Sequence, residues 1–208
     1  MLITIQELKQ RFNIQVSGIL HVGAHKCEEL DAYLQLGIPN NNIYWIEALQ
    51  ELVDEMTKKN TNIKIYQAVI SDKDNEVITF NITDNRQSSS ILEFGSHATS
   101  HPQVKVIDKR LLLTSRLDSV IEKENIDMSI VNFMNLDIQG VELRALKSME
   151  KYLTNIKYIY TEVNTEQVYK GCDQMSDLTA YLNQFGFKLV DARIYKQFGW
   201  GDAFYIKM

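Results

Sequence analysis

The sequence predicts an α/β fold built as three layers, a mostly parallel seven-stranded sheet between helices with an antiparallel edge at the C-terminal end. Three observations predict it. Apolar runs of strand length alternate with segments of helical period along most of the chain, the order that builds a parallel sheet by crossover connections. The run Gly18-Ile-Leu-His-Val enters a small-residue turn at Gly23-Ala24 and then a helical pattern, so the first strand ends in the kind of turn that faces a bound cofactor. Residues 187–191 and 202–207 read as two closing strands joined by an aromatic loop, and a short connection makes such strands antiparallel neighbours.

Taken in order, residues 4–12 read as a helix within a leading segment, 1–16, with Ile5, Leu8 and Phe12 on one face. Strand one covers 18–22. The helix after the turn places Leu30, Tyr33 and Leu34 on one face and stops at Gly37-Ile38-Pro39. Strand two, 42–47, leads to a helix ending near Lys59, and strand three covers 63–69. The cluster Ser71-Asp-Lys-Asp-Asn75 is a turn, and 76–82 alternates as a half-buried strand does. Residues 84–115 read as a long loop on the substrate side, with one more strand within 104–113. Residues 84–102 have no clean period and carry Ser88-Ser89-Ser90, His97 and His101, and long loops in compact domains usually carry function. The second half alternates again: helix 116–123, strand 129–138, helix 140–152, strand 156–163 and helix 175–185. A sheet of this kind is the architecture of a class I methyltransferase, a Rossmann-like fold.

The 208 residues suffice for a single α/β domain spanning 1–208 with a full core. A hydrophobic content of 45% and a charged content of 24% are those of an ordinary globular protein. The net charge is −5 and no basic run occurs, which argues against nucleic acid as a partner. The first ten residues lack a positive n-region and an apolar h-region, and no segment approaches the ~18 apolar residues of a membrane span. Two cysteines, Cys27 and Cys172, make neither a disulfide framework nor a zinc spacing, so a reducing, cytoplasmic setting is expected.

The glycines bear on the cofactor. A dinucleotide fingerprint needs Gly-x-Gly-x-x-Gly so that the backbone can close on a pyrophosphate. Here the turn is Gly23-Ala24-His25-Lys26-Cys27 and the later glycines are missing, which argues against a nicotinamide oxidoreductase. A single Gly-Ala turn suits a cofactor without phosphates, S-adenosylmethionine above all. Glu47 ends the second strand, where an acidic residue can hold both hydroxyls of a ribose. His21, Gly23, Ala24, His25, Glu47, Ala68, Val69 and Asp137 are the expected cofactor contacts, with Ala68-Val69 near the adenine. A close strand–helix crossing with no ligand is the plain alternative for the turn.

Four pieces of the sequence resemble the FkbM family of S-adenosylmethionine-dependent methyltransferases: Leu20-His-Val-Gly-Ala-His25, Ile46-Glu47, Arg116-Leu-Asp118 and Asn135-Leu-Asp-Ile-Gln-Gly-Val-Glu142. The last, an Asp-x-x-Gly-x-Glu after an apolar strand, is the most specific. Tyr160-Thr-Glu162 and Trp200-Gly-Asp202 extend the likeness toward the C-terminus. Two positions depart from the family pattern: Cys27 stands where a further glycine is usual, and His21 where an acidic residue is common. The resemblance implies O-methylation of diverse acceptors, often sugars or natural products, with S-adenosylhomocysteine as product. Association with glycosyltransferases is a further implication, and a non-catalytic cofactor-binding or recruiting module is the alternative.

Methyl transfer to an alcohol needs a base for the hydroxyl proton. Asp137, at the end of its strand before Gly140, is the leading candidate; it could also cap the helix or bind the cofactor amine. Glu142, in the first helical turn, and Glu162, at the end of the next strand, are the other catalytic candidates, although Glu142 also complements the helix dipole. Ser88, Ser89, Gln139, Asn164 and Trp200 are candidates for binding a hydroxylated small acceptor, the last by stacking. Asp137 and Glu142 could hold a divalent cation through oxygen ligands. A metal is not expected, because no convincing three-ligand set is present.

Overall fold

A computed structural model describes all 208 residues. The strands are β1 (Ile19–Val22), β2 (Ile43–Glu47), β3 (Lys64–Gln67), β4 (Val69–Ile70), β5 (Val77–Thr83), β6 (Val106–Ser115), β7 (Phe133–Leu136), β8 (Tyr158–Asn164), β9 (Phe187–Tyr195) and β10 (Trp200–Lys207). The helices are α1 (Ile5–Phe12), α2 (Leu30–Gln35), α3 (Gln50–Lys59), α4 (His97–Ser100), α5 (Leu117–Lys123), α6 (Glu142–Ser148) and α7 (Met175–Gln184). The main sheet has seven strands in the order β3-β2-β1-β7-β8-β10-β9. Its first five strands pair in parallel, and β10 runs antiparallel to both β8 and β9. The expected antiparallel edge is therefore a hairpin whose second strand is the inner one. The strand order reverses at β1, which has β2 on one side and β7 on the other. That reversal opens a crevice outside the carboxyl ends of β1 and β7.

The central strands are apolar on both faces, as a sheet covered on both sides requires. Leu20, Val22, Tyr44, Ile46, Met134, Leu136, Ile159 and Val163 pack into one core cluster with α5, α6 and α7. The alternate residues Ile19, Ile43, Trp45, Phe133 and Tyr160 pack into a second cluster with α1, α2 and α3. Helix α1 starts where Thr4 Oγ1 accepts the Glu7 amide at 3.2 Å and ends at Asn13, whose backbone is left-handed (φ 50°).

Three expectations change. The strand expected within 104–113 is β6, which runs from 106 to 115 and pairs antiparallel with β5 in a small second sheet, so this part of 84–115 is not loop. Leu111 and Leu113 on β6 are exposed, so the strand lacks the buried alternation that marks strands in a sequence. The helix expected directly after Gly23 begins only at Leu30, because His25 (φ 44°) and Cys27 (φ 54°) hold a left-handed backbone and the chain turns rather than winds. Leu34, placed on that helix's buried face, is 41% exposed, and Tyr33 alone of the three residues is buried.

Candidate active site

A cavity of about 490 Å³ opens at the reversal point, within the roughly 300–1,000 Å³ range of small-molecule sites. Two turns form its floor. Gly23 (φ 91°) brings the end of β1 against the end of β7 so closely that a Cβ at this position would lie 1.8 Å from the Asp137 carbonyl oxygen. Only glycine fits. The Asp137 amide donates to the Val22 carbonyl at 2.9 Å and completes the junction.

The amides of the first turn are already engaged. Gly23 and Ala24 donate to the Ile46 carbonyl at 2.9 and 3.0 Å, and the His25 amide donates to Glu47 Oε2 at 2.8 Å. The turn therefore offers a ligand shape and room rather than a row of free N–H groups. Glu47 lines the cavity and is the hub of this wall: its Oε1 also accepts the Leu49 amide at 2.9 Å. Burial pushes the Glu47 carboxyl up, and the two amides hold it down in part. Ala68 and Val69 line the same side.

His21 reaches the cavity wall but is only 3% exposed. Its ring stacks on Trp45 at 4.7 Å, and Nδ1 lies 3.1 Å from the Tyr33 hydroxyl, which in turn accepts from Asn135 Nδ2 at 2.9 Å. Burial lowers its pKa to about 3, so the imidazole is neutral. This position, where the family resemblance led to the expectation of an acidic residue, carries an uncharged aromatic ring within a polar network. At Cys27 the left-handed backbone (φ 54°) is the conformation glycine adopts most easily, so the cysteine keeps the turn that the usual glycine would make.

The opposite wall carries carboxylates. Asp137 opens onto the cavity and is exposed to it. Gln139 Nε2 donates to Asp137 Oδ1 at 2.5 Å and to Glu162 Oε2 at 2.7 Å, and the Tyr169 hydroxyl donates to Gln139 Oε1. Burial, followed by the charges of Asp137, Glu142 and Asp202, pushes the Glu162 carboxyl well up. Asp202 faces Glu162 across the β8–β10 pair and accepts from the Tyr160 hydroxyl and, at 2.6 Å, from the Leu2 amide.

Two candidates fall elsewhere. Glu142 is 1% exposed and does not line the cavity; it turns inward, and its Oε1 accepts the amides of Ile138 and Gly140, both at 3.1 Å. It holds the turn that carries Asp137. Burial raises its pKa to about 8, and the charge of Asp137 adds to the rise. Asn164 is fully buried, off the cavity, with both side-chain polar atoms unpartnered. Ser88, Ser89, Gln139 and Trp200 do line it. No group of three or more histidine, cysteine, aspartate or glutamate side chains could hold a metal ion.

Several lining residues went unread in the sequence. Tyr169 arrives from the crossing after β8, Phe80 from β5, and Met1 and Leu2 from the leading segment. Asp202 stood inside the quoted Trp200-Gly-Asp202 piece without a role. His97 and His101, spaced i, i+4, border the short helix α4 rather than a loop, with ring centroids 5.0 Å apart. His97 stacks on Phe94 at 4.2 Å, so the pair belongs to an aromatic wall.

The profile of the methyltransferase FkbM domain matches residues 21–189. The chain belongs to the FkbM methyltransferase family. Among solved structures it is similar to a methyltransferase FkbM from Methylobacillus flagellatus KT, at 14% identity and a TM-score of 0.56, over 95% of this chain and 46% of that one. The chain thus spans about half the length of that FkbM structure. A magnesium protoporphyrin IX methyltransferase from Synechocystis PCC 6803, solved with bound S-adenosylmethionine, matches at 9% identity and a TM-score of 0.50, over 97% of this chain and 74% of that one. Both are likenesses of fold. No curated protein matches the sequence. The FkbM match leaves out Met1, Leu2, Trp200 and Asp202, four residues that line the cavity of this chain.

Proposed function

We propose that the chain is an S-adenosylmethionine-dependent O-methyltransferase acting on a hydroxyl of a sugar or similar small hydroxylated acceptor, with Asp137 as general base. The observation that carries the reading is the place of Asp137: a carboxylate open to the cavity, at the reversal point of the sheet, in a family of methyltransferases.

The residues fit the cofactor. Gly23 leaves room at the floor, Glu47 presents a carboxylate at the end of β2 for the ribose hydroxyls, and Ala68 and Val69 give an apolar wall for the adenine. The bound cofactor supplies a methyl group on a positively charged sulfur. The chain must then align an acceptor oxygen with that methyl group and take its proton. Asp137 accepts the proton. Gln139, itself anchored on Glu162, holds the Asp137 carboxylate in place, and Ser88, Ser89 and Trp200 offer hydroxyls and an aromatic face to the rest of the acceptor.

The test is a mass-spectrometric screen of sugar acceptors with isotopically labelled cofactor. Asp137→Asn should then cut kcat by roughly 10²–10⁴ while cofactor affinity, read by calorimetry, changes little. Near-normal turnover in that variant would remove Asp137 as base.

A further inference from the structure

We propose that Gln139 is a positioning residue that makes Asp137 and Glu162 behave as one pair sharing a single proton, and that Tyr169 and Ser90 lock its amide in the required orientation. The inference rests on the reading of Asp137 as base.

Gln139 is fixed at three points. Its backbone is left-handed (φ 57°) without being glycine, its carbonyl accepts from Ser90 Oγ at 2.8 Å, and its side-chain oxygen accepts from Tyr169. Tyr169 is 1% exposed, and its hydroxyl also lies 3.3 Å from the Ser88 carbonyl. The amide cannot reverse. A flip would set Oε1 against the Asp137 carboxylate and leave the phenol proton facing an NH₂ group. With the phenol as donor on one side, the amide nitrogen must face the carboxylates and gives one hydrogen to each.

Two carboxylates joined through one nitrogen are too close for both to ionise freely, and one proton stays with the pair. The neighbours strengthen this. Asp202 faces the pair from β10, Glu142 from behind the turn and Glu29 from the entry to α2; His21 on β1 is neutral, and the positive Met1 amino group of the leading segment acts on Asp137 in the opposite sense. Glu162, enclosed and facing three other carboxylates, keeps the proton, and Asp137, open to the cavity, keeps the charge. An acceptor hydroxyl would thus meet an ionised oxygen at Asp137, with the neutral Glu162 beside it. Because Ser88 and Tyr169 line the cavity that would hold the acceptor, the same contacts tie acceptor binding to the state of the pair.

The experiment uses the full chain alone, without cofactor or acceptor. Side-chain carboxyl ¹³C shifts of Asp137 and Glu162, assigned with Asp137→Asn and Glu162→Gln, are followed from about pH 3 to 9. The expected result is two steps separated by at least about 100-fold in proton affinity. Tyr169→Phe and Gln139→Ala should each raise the proton affinity of the lower step by about tenfold or more, with the thermal unfolding curve confirming a folded protein. If Gln139→Ala fails to fold, Tyr169→Phe, which removes only one oxygen, carries the test. Two carboxyls that titrate independently near ordinary values would overturn the proposal. So would folded variants whose lower step stays where it was. The base reading fails separately: an Asp137→Asn enzyme with normal kcat removes the base and leaves the titration result standing.

Discussion

Glu47 carries two loads at once, the amides of His25 and Leu49 on the protein side and, in the proposed reading, a ribose on the other. Glu47→Ala should weaken S-adenosylmethionine binding at least about tenfold in calorimetry, since each charge-assisted hydrogen bond lost is worth roughly 1.5–3 kcal/mol. Glu47→Gln keeps one acceptor oxygen for the loop and should bind better than the alanine variant; equal, undiminished affinity in both would place the ribose elsewhere. Glu142 makes a different prediction. Its carboxyl rises from an ordinary value of 4.5 to about 8 in the fold, so between those values the unfolded chain ionises and the folded one does not. The stability it contributes is fully present below pH 4.5 and is lost as pH rises through about 8. Glu142→Gln, which keeps an acceptor for the amides of Ile138 and Gly140, should flatten the fall in Tm between about pH 5 and 8.5. A variant with the same slope as the parent would show that Glu142 titrates normally.

At the scale of elements, the leading segment is pinned into the site. The Leu2 amide donates to Asp202, the Ile3 amide to the Tyr160 hydroxyl at 3.0 Å, and that hydroxyl donates to Asp202. Tyr160→Phe leaves the buried Ile3 amide without its acceptor, at a cost of roughly 1–3 kcal/mol, and should speed hydrogen exchange at Leu2 and Ile3. Unchanged exchange there would show that the apolar packing of α1 alone holds the segment. The elements of the main sheet were legible because their apolar runs are buried on both faces, as at Ile43–Glu47 and Phe133–Leu136. Strand β6 was legible only in outline, as a strand within 104–113 whose sheet was not, since Ile107, Leu111 and Leu113 face outward while Lys109 and Arg110 interrupt the run. The delayed start of α2 was equally hidden: nothing in Ala24-His25-Lys26-Cys27 announces two left-handed residues.

For the whole molecule, turnover is expected to survive chelation. A cation at Asp137 and Glu162 would have to displace the Gln139 amide that already donates to both. Loss of activity in EDTA, restored by magnesium or manganese, would overturn this and make the carboxylates metal ligands.

The sequence by itself determined the order of strands and helices, the parallel sheet with its antiparallel hairpin, the turn at Gly23 and the family, because these follow from local periodicity, from glycine's freedom and from short motifs. It also named, as site candidates, thirteen of the 35 residues that line the cavity. Only the tertiary structure decided which acidic residues face that cavity. Asp137 and Glu142 stand five positions apart along the chain, and the turn sends one outward and the other inward to its own amides. Tyr169, Asp202 and Leu2 come from distant segments that meet only when β8 and β10 pair and α1 folds back over the sheet. Contacts between residues so far apart leave no period or spacing in the chain, because side-chain direction at a turn and the crossing of remote loops are set by packing rather than by sequence order.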